Sequence, residues 1–163
     1  MALTLEDILD SVRSSHESLF KHLKGVTGEQ LTWKPYPECK SIHDTLAHLI
    51  AVEWSAQAML ETDSFPDYET HQRDALTLAD GKQLDDLVST LKKEQEKTLA
   101  IVVPKFRDTA LDEEIKFWGY PTKMATAVAR LGSEDAYHSG QIAYIRLATD
   151  PTWDYYKAIY FSE

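Results

Sequence analysis

Glu134 and His138 lie four residues apart in the segment Glu134-Asp135-Ala136-Tyr137-His138-Ser139-Gly140-Gln141-Ile142. On a helix that spacing stacks the two side chains on one face. The rest of that face is apolar: Met124, Ala127, Leu131, Ile142 and Ile145. A carboxylate and an imidazole on a core-facing stripe are costly to bury without partners, by roughly several kcal/mol. His48 sits on an equally apolar stripe elsewhere in the chain. Metal ligation is one chemistry that accounts for all three. Two histidines and a glutamate form a known catalytic zinc set, and they also serve as a facial triad for non-haem Fe(II). Such a site keeps at least one coordination position open. On spacing alone, a hydrogen-bonded core histidine and an i,i+4 ion pair explain the same residues more economically.

Other polar residues around these three have weaker claims. Asp135 points about 100° away from Glu134 around a helix, which makes it an inferior ligand. Asp44 lies one turn before His48 and could orient its other ring nitrogen, or it could cap the helix. Gln141, three residues after His138, could hydrogen-bond a bound water or a neighbouring helix; a structural role is equally open, with Gly140 allowing close helix approach. His16, His22 and His71 read as solvent-facing or packing residues, and His43 faces away from His48. Trp54, Trp118 and Tyr120 could wall a pocket or fill the core. Cys39 has no clear base or helix terminus to activate it as a nucleophile.

Four segments carry the helical periodicity needed to position these groups. The first runs from about Leu5 to Lys24, with Thr4 as N-cap and Gly25 and Gly28 bracketing the exit. Trp33-Lys34-Pro35-Tyr36-Pro37 breaks helix and reads as an extended connector. The second helix starts at Ser41, with Asp44 completing a capping box, and ends near Thr62. Its inward stripe is Thr45, His48, Leu49, Val52, Ala56 and Met59. From about Asp63 to Lys82 the chain reads as a long polar connector, a length that is often functional. The third helix begins near Asp80 and Gln83 and is closed by Pro104; Gln95 and Thr98 are polar residues on its apolar side. Ile115 to Pro121 is a short aromatic connector that could include an extended stretch. Thr122 caps a fourth helix running to about Ala148, and Asp150-Pro151 stops it. The Tyr-rich tail from Trp153 to Phe161 is expected to pack on the surface. Four amphipathic helices of about 20 residues imply an all-α four-helix bundle. The long connection between helices 2 and 3 points to a crossover.

The 163 residues suit one domain, 1–163, large enough to bury a core without disulfides or structural metal. A metal would then serve function rather than hold up the fold. The formal net charge of −10, with no dense Lys/Arg cluster, argues against nucleic acid or an anionic membrane as partner. No apolar run reaches the roughly 18–20 residues of a membrane span. The first residues, Met1 to Asp7, lack the basic start and apolar stretch of a signal peptide. The single Cys39 excludes an intramolecular disulfide. A cytoplasmic location is expected.

Tyr137-His138-Ser139-Gly140-Gln141-Ile142, together with Ser41-Ile42-His43-Asp44-Thr45-Leu46-Ala47-His48-Leu49, resembles the DinB/YfiT-like family. The resemblance covers essentially the whole chain, including the aromatic-proline connector before helix 2. It implies a four-helix bundle, often a homodimer, with a divalent metal held by one side chain from helix 2 and two from helix 4. His48 matches the first ligand and His138 the third. At the second, the family usually has His where this chain has Glu134, and Ser139 stands where Arg is common. A carboxylate still ligates, so the implied set is His48, Glu134 and His138, with Zn, Ni or Fe as the ion and Asp44 and Gln141 as supporting residues. The resemblance further implies a thiol transferase using a low-molecular-weight thiol such as bacillithiol, mycothiol or glutathione on a small-molecule substrate. Hydrolysis, with water as nucleophile, is chemically open too. The alternative is a non-catalytic, stress-associated dimeric bundle with a vestigial or structural metal site.

Overall fold

The computed structural model describes residues 3–161; Met1 and Ala2, where the N-terminal reading begins, lie outside them, as do Ser162 and Glu163. The chain is mostly helical with two short strands. Helix α1 (Leu5–Leu23) opens on a reciprocal cap between Thr4 and Asp7 and buries Ile8, Leu9, Val12, Leu19 and Leu23. Gly25 turns the chain at φ 78°, a conformation that favours glycine. Gly28, expected to bracket the exit, instead begins a short helix α2 (Gly28–Thr32), capped by Thr27 and Gln30. The proline-rich connector follows without regular structure.

Helix α3 (Ile42–Thr62) starts at the expected Ser41–Asp44 capping box. The following stretch differs from its reading as an irregular polar connector. It contains a helix, α4 (Tyr68–Ala79), capped by Asp67 and packed on α3. Only Ala75 and Ala79 are buried along α4, so its apolar stripe is too thin to stand out in the sequence. The His43 ring nitrogen Nε2 meets the Ala79 carbonyl at 3.0 Å, and Ser55 Oγ meets His71 Nδ1 at 2.8 Å; both contacts fasten α4 to α3.

Helix α5 (Leu84–Phe106) is capped at Gln83, and Asp80 caps the end of α4 instead. Pro104 lies inside the last turn of α5 rather than closing it. Strands β1 (Glu114–Phe117) and β2 (Tyr120–Lys123) form an antiparallel hairpin in the aromatic connector. Its two turn residues, Trp118 and Gly119, both have positive φ, as a two-residue hairpin turn requires. Thr122, expected to cap a helix, is paired in β2 opposite Ile115.

The expected fourth helix is broken. Helix α6 (Met124–Ala129) leads through a 3-10 turn, Arg130–Gly132, into α7 (Ser133–Thr149). The break coincides with a close approach: a Cβ on Gly132 would lie 3.1 Å from Ser15 and 3.2 Å from the Val12 backbone on α1. Gly140, expected to provide such an approach, faces open space. The tail forms helix α8 (Tyr155–Tyr160), which packs on α1. Arg146 stacks over Trp153 at 4.0 Å and donates to the carbonyls of His22 and Lys24.

Helix α3 packs on α5, α1 packs on α7, and α3 meets α7. The buried apolar residues form two clusters. One lies around Leu19, Leu46, Leu91 and Ile142, and the other around Leu9, Met59, Val102 and Met124. Polar side chains of α3 and α7 occupy positions on these same helices, at and beside the α3–α7 contact. No helix among the described residues is long and apolar enough to cross a membrane.

Candidate metal centre

The contact between α3 and α7 brings His48, Glu134 and His138 together. One potential ligand atom from each lies within 4.8 Å of the others. His48 Nε2 and His138 Nε2 are each 3.5 Å from Glu134 Oε2. The imidazole rings meet edge to face, with centroids 4.9 Å apart. His138 is buried, whereas the Glu134 side chain is 46% exposed. Hydrogen bonding to His138 and then to His48 holds the Glu134 carboxyl well below the usual carboxylate range.

The outer ring nitrogens fix the tautomers. His138 Nδ1 lies 2.7 Å from Gln141 Oε1. His48 Nδ1 lies 2.5 Å from the Tyr68 hydroxyl and 3.1 Å from Gln72 Oε1. The Tyr68 hydroxyl spends its proton on Gln72 Oε1 at 2.6 Å, so it accepts from His48. Each Nδ1 is therefore an N–H donor. In the neutral ring this leaves the Nε2 lone pair facing Glu134. Two lone pairs and a carboxylate facing one another repel unless the rings are protonated or a cation sits between them.

The geometry fits a cation. Metal bonds of about 2.0–2.2 Å in a tetrahedral set place neighbouring ligand atoms roughly 3.4 Å apart, close to the two 3.5 Å separations. The donor set of two imidazoles and one carboxylate suits a divalent ion, and the triad together with the family reported below points to one.

Two clefts meet at the triad, and His48 and Glu134 line both. One, of about 420 Å³, is walled by Val52, Phe117, Trp118 and Leu131, with Glu53 and Arg130 among its polar residues. The other, of about 790 Å³, runs past Tyr36, Tyr137 and Tyr144 and includes Cys39, Lys40 and Gly140. Burial pulls the Lys40 ammonium down, against the pull of Glu134 and Asp44.

Of the supporting residues expected from sequence, Gln141 touches His138 and Asp44 does not touch His48. Asp44 pairs with Lys34 at 2.6 Å and closes the α3 cap. The place expected for it beside His48 is taken by Tyr68 and Gln72. These residues escaped the sequence reading because they lie in the segment taken as connector. Their four-residue spacing was the signal that could have found them.

Asp135 turns away from the triad, as its position on the helix implies. It is buried and accepts from Gln95 at 2.9 Å. His16 Nε2 lies 3.3 Å from its Oδ2 and has no hydrogen-bond partner among the described residues. Burial, followed by repulsion from Glu53 and Glu134, pushes the Asp135 carboxyl up to about 8. Burial also pulls His16 down to about 4. Both shifts favour the neutral forms of the pair near pH 7. His16 and His22 are both buried and neither belongs to the triad.

Searches of curated proteins and of solved structures gave no match to this chain. The sequence model of one family, described as mycothiol-S-transferase, matches residues 4–151, which span all the elements from α1 to the end of α7. The chain belongs to the mycothiol-S-transferase family, within the DinB/YfiT-like proteins.

Proposed function

We propose that this protein is a divalent-metal-dependent thiol S-transferase in which His48, Glu134 and His138 hold the ion. The co-substrate is a low-molecular-weight thiol of the mycothiol, bacillithiol or glutathione type. The observation that carries this reading is the pair of fixed tautomers: both Nδ1 atoms donate outward, and both Nε2 atoms converge on Glu134. A divalent ion bound there would lower the pKa of a thiol and keep it as thiolate near neutral pH.

The chain's own residues supply the rest. Gln141, Tyr68 and Gln72 hold the two rings in place. The larger cleft has room for the thiol, with tyrosine hydroxyls and Lys40 to meet its polar groups. The smaller cleft takes the electrophile in this reading. An ion serving structure alone would be enclosed by protein groups; the triad opens on both clefts. In this reading residues 1–163 form one DinB-like domain. The long helices α1, α3, α5 and α7 make the bundle, and α4 lies in the crossover. Homodimerisation belongs to the same proposal, as what the family resemblance implies.

The test is thiol consumption by Zn²⁺-loaded protein with mycothiol, bacillithiol and glutathione in turn, using 1-chloro-2,4-dinitrobenzene as electrophile. Adduct formation that stops on chelation and resumes on adding metal is the expected result. No adduct with any of the three thiols would overturn the reading.

A further inference from the structure

Glu53 is a buried acid in the same site that the transfer reaction above does not use. It lies on α3, is 6% exposed, and lines the 420 Å³ cleft with His48 and Glu134. Thr98 Oγ1 on α5 donates to Glu53 Oε2 at 2.5 Å. Oε1 has no hydrogen-bond partner among the described residues. No cation pairs with the carboxyl among the described residues. The charged and titratable groups around it are Glu94 on α5, which is tied to Lys97 at 2.7 Å, and Asp135 on α7. His48, Glu134, Tyr68 and Arg130 line the same cleft. Burial, reinforced by Glu94 and only partly offset by Thr98, pushes the Glu53 carboxyl up to about 7. The Thr98 hydroxyl has one proton and two acceptors, Glu53 Oε2 and the Glu94 carbonyl at 3.1 Å; when it donates to Oε2, the acid proton resides on Oε1. A purely structural acid would be sealed among partners; this one borders a cavity that reaches the triad.

We propose that Glu53 is the proton donor of the site, and that the smaller cleft takes epoxides, whose attacked carbon releases its electron pair onto an oxygen. The proposal rests on the transferase reading. In the epoxide case the thiolate sulfur forms a C–S bond as the C–O bond breaks. The electron pair goes to the oxygen, which takes the Glu53 proton and becomes a hydroxyl. Glu53, left as carboxylate, regains through solvent the proton that the thiol lost. The sum is thiol plus epoxide giving a hydroxy thioether. A chloroarene needs no such donor, because chloride leaves as an anion.

The experiment compares styrene oxide with 1-chloro-2,4-dinitrobenzene in the metal-loaded wild type and in Glu53→Gln. The substitution is expected to slow epoxide opening about 100-fold more than it slows transfer to the chloroarene. In the wild type, the epoxide rate should fall as pH rises through about 7, while the chloroarene rate does not. This wild-type comparison stands even if Glu53→Gln does not fold. Equal loss on both electrophiles, no loss on either, or matching pH profiles would overturn the proposal. Transfer to neither electrophile by the wild type would overturn the transferase reading itself. A readout independent of turnover is the ¹³C carboxyl titration of the metal-free protein. A Glu53 resonance that titrates near neutrality and shifts on adding styrene oxide is expected. One that titrates in the ordinary carboxylate range and ignores the epoxide contradicts the assignment.

Discussion

Glu134 and Asp135 are neighbours on α7 with the same functional group, yet they occupy opposite electrostatic worlds. Glu134 is half-exposed, faces two imidazoles and is held ionised. Asp135 is buried between α1 and α5, faces Gln95 and a neutral His16, and is held protonated near pH 7. On α3 the contrast repeats: His48 faces the triad, and Glu53 is a buried acid bonded to Thr98. One helix turn thus separates a cluster short of a cation from a cluster that has solved its charge problem by keeping protons. Burial raises carboxyl pKa values, and donors facing the ionised form lower them. Chain position decides which effect wins.

The comparison breaks most sharply under substitution of the neighbours. Glu134→Ala removes the only carboxylate of the triad, and metal binding is expected to be lost. Asp135→Asn is expected to leave metal binding within about twofold of the wild type, because the site does not use that side chain. Equilibrium dialysis against Zn²⁺ distinguishes them. Equal losses in both variants would mean that the two clusters are not separate.

The residues behind the rings come next. Gln141→Leu removes the acceptor of His138 Nδ1–H and is expected to weaken metal affinity about 10–100-fold. Tyr68→Phe removes one of two acceptors near His48 and should cost less, since Gln72 remains at 3.1 Å. Competitive titration with a chromophoric chelator ranks them. The reverse order would show that His48 depends on Tyr68 alone.

The smallest effect is a pH slope in the metal-free protein. Glu53 and Asp135 keep protons up to about 7 and about 8, above their ordinary values of 4.5 and 3.8. The fold therefore binds more protons than the unfolded chain in that window, and stability falls as pH rises through it. His16 and His22 have the opposite sign: lowered from 6.5, they cost stability as pH falls through that value. From pH 6.5 to 8 the acids dominate, and unfolding free energy is expected to drop by about 2 kcal/mol. Urea unfolding across that range measures the drop, and Glu53→Gln should shrink it. A flat profile would mean that the buried acids are ionised.

The sequence carried the long helices in its apolar periodicity, and two of their starts in capping residues. Thr4–Asp7 and Ser41–Asp44 form the caps that their spacing implies. His48, Glu134 and His138 stood out as polar residues on apolar stripes, but spacing alone favoured an ion pair and a core histidine, and the family resemblance pointed to them as a set; the structure brings the three together. What stayed hidden depended on tertiary contacts. Helix α4 buries only two alanines, so its apolar pattern barely distinguishes it from a polar loop. The break at Arg130–Gly132 follows from α1 passing within 3.2 Å of where a Gly132 Cβ would sit. Gln95 and Thr98 stood out as polar residues on an apolar side, but their acidic partners on α7 and α3 emerge only from the packing.

The central claim is that His48, Glu134 and His138 hold a divalent ion. The most direct measurement is metal content by mass spectrometry on protein purified without a His-tag or chelator, beside His138→Ala. The account predicts close to one equivalent of a single divalent metal in the wild type and its loss in the variant, with helical content unchanged by circular dichroism. Metal absent from both, even after addition of Zn²⁺, Ni²⁺ or Fe²⁺, would contradict it and leave Glu134 and His138 as a polar pair.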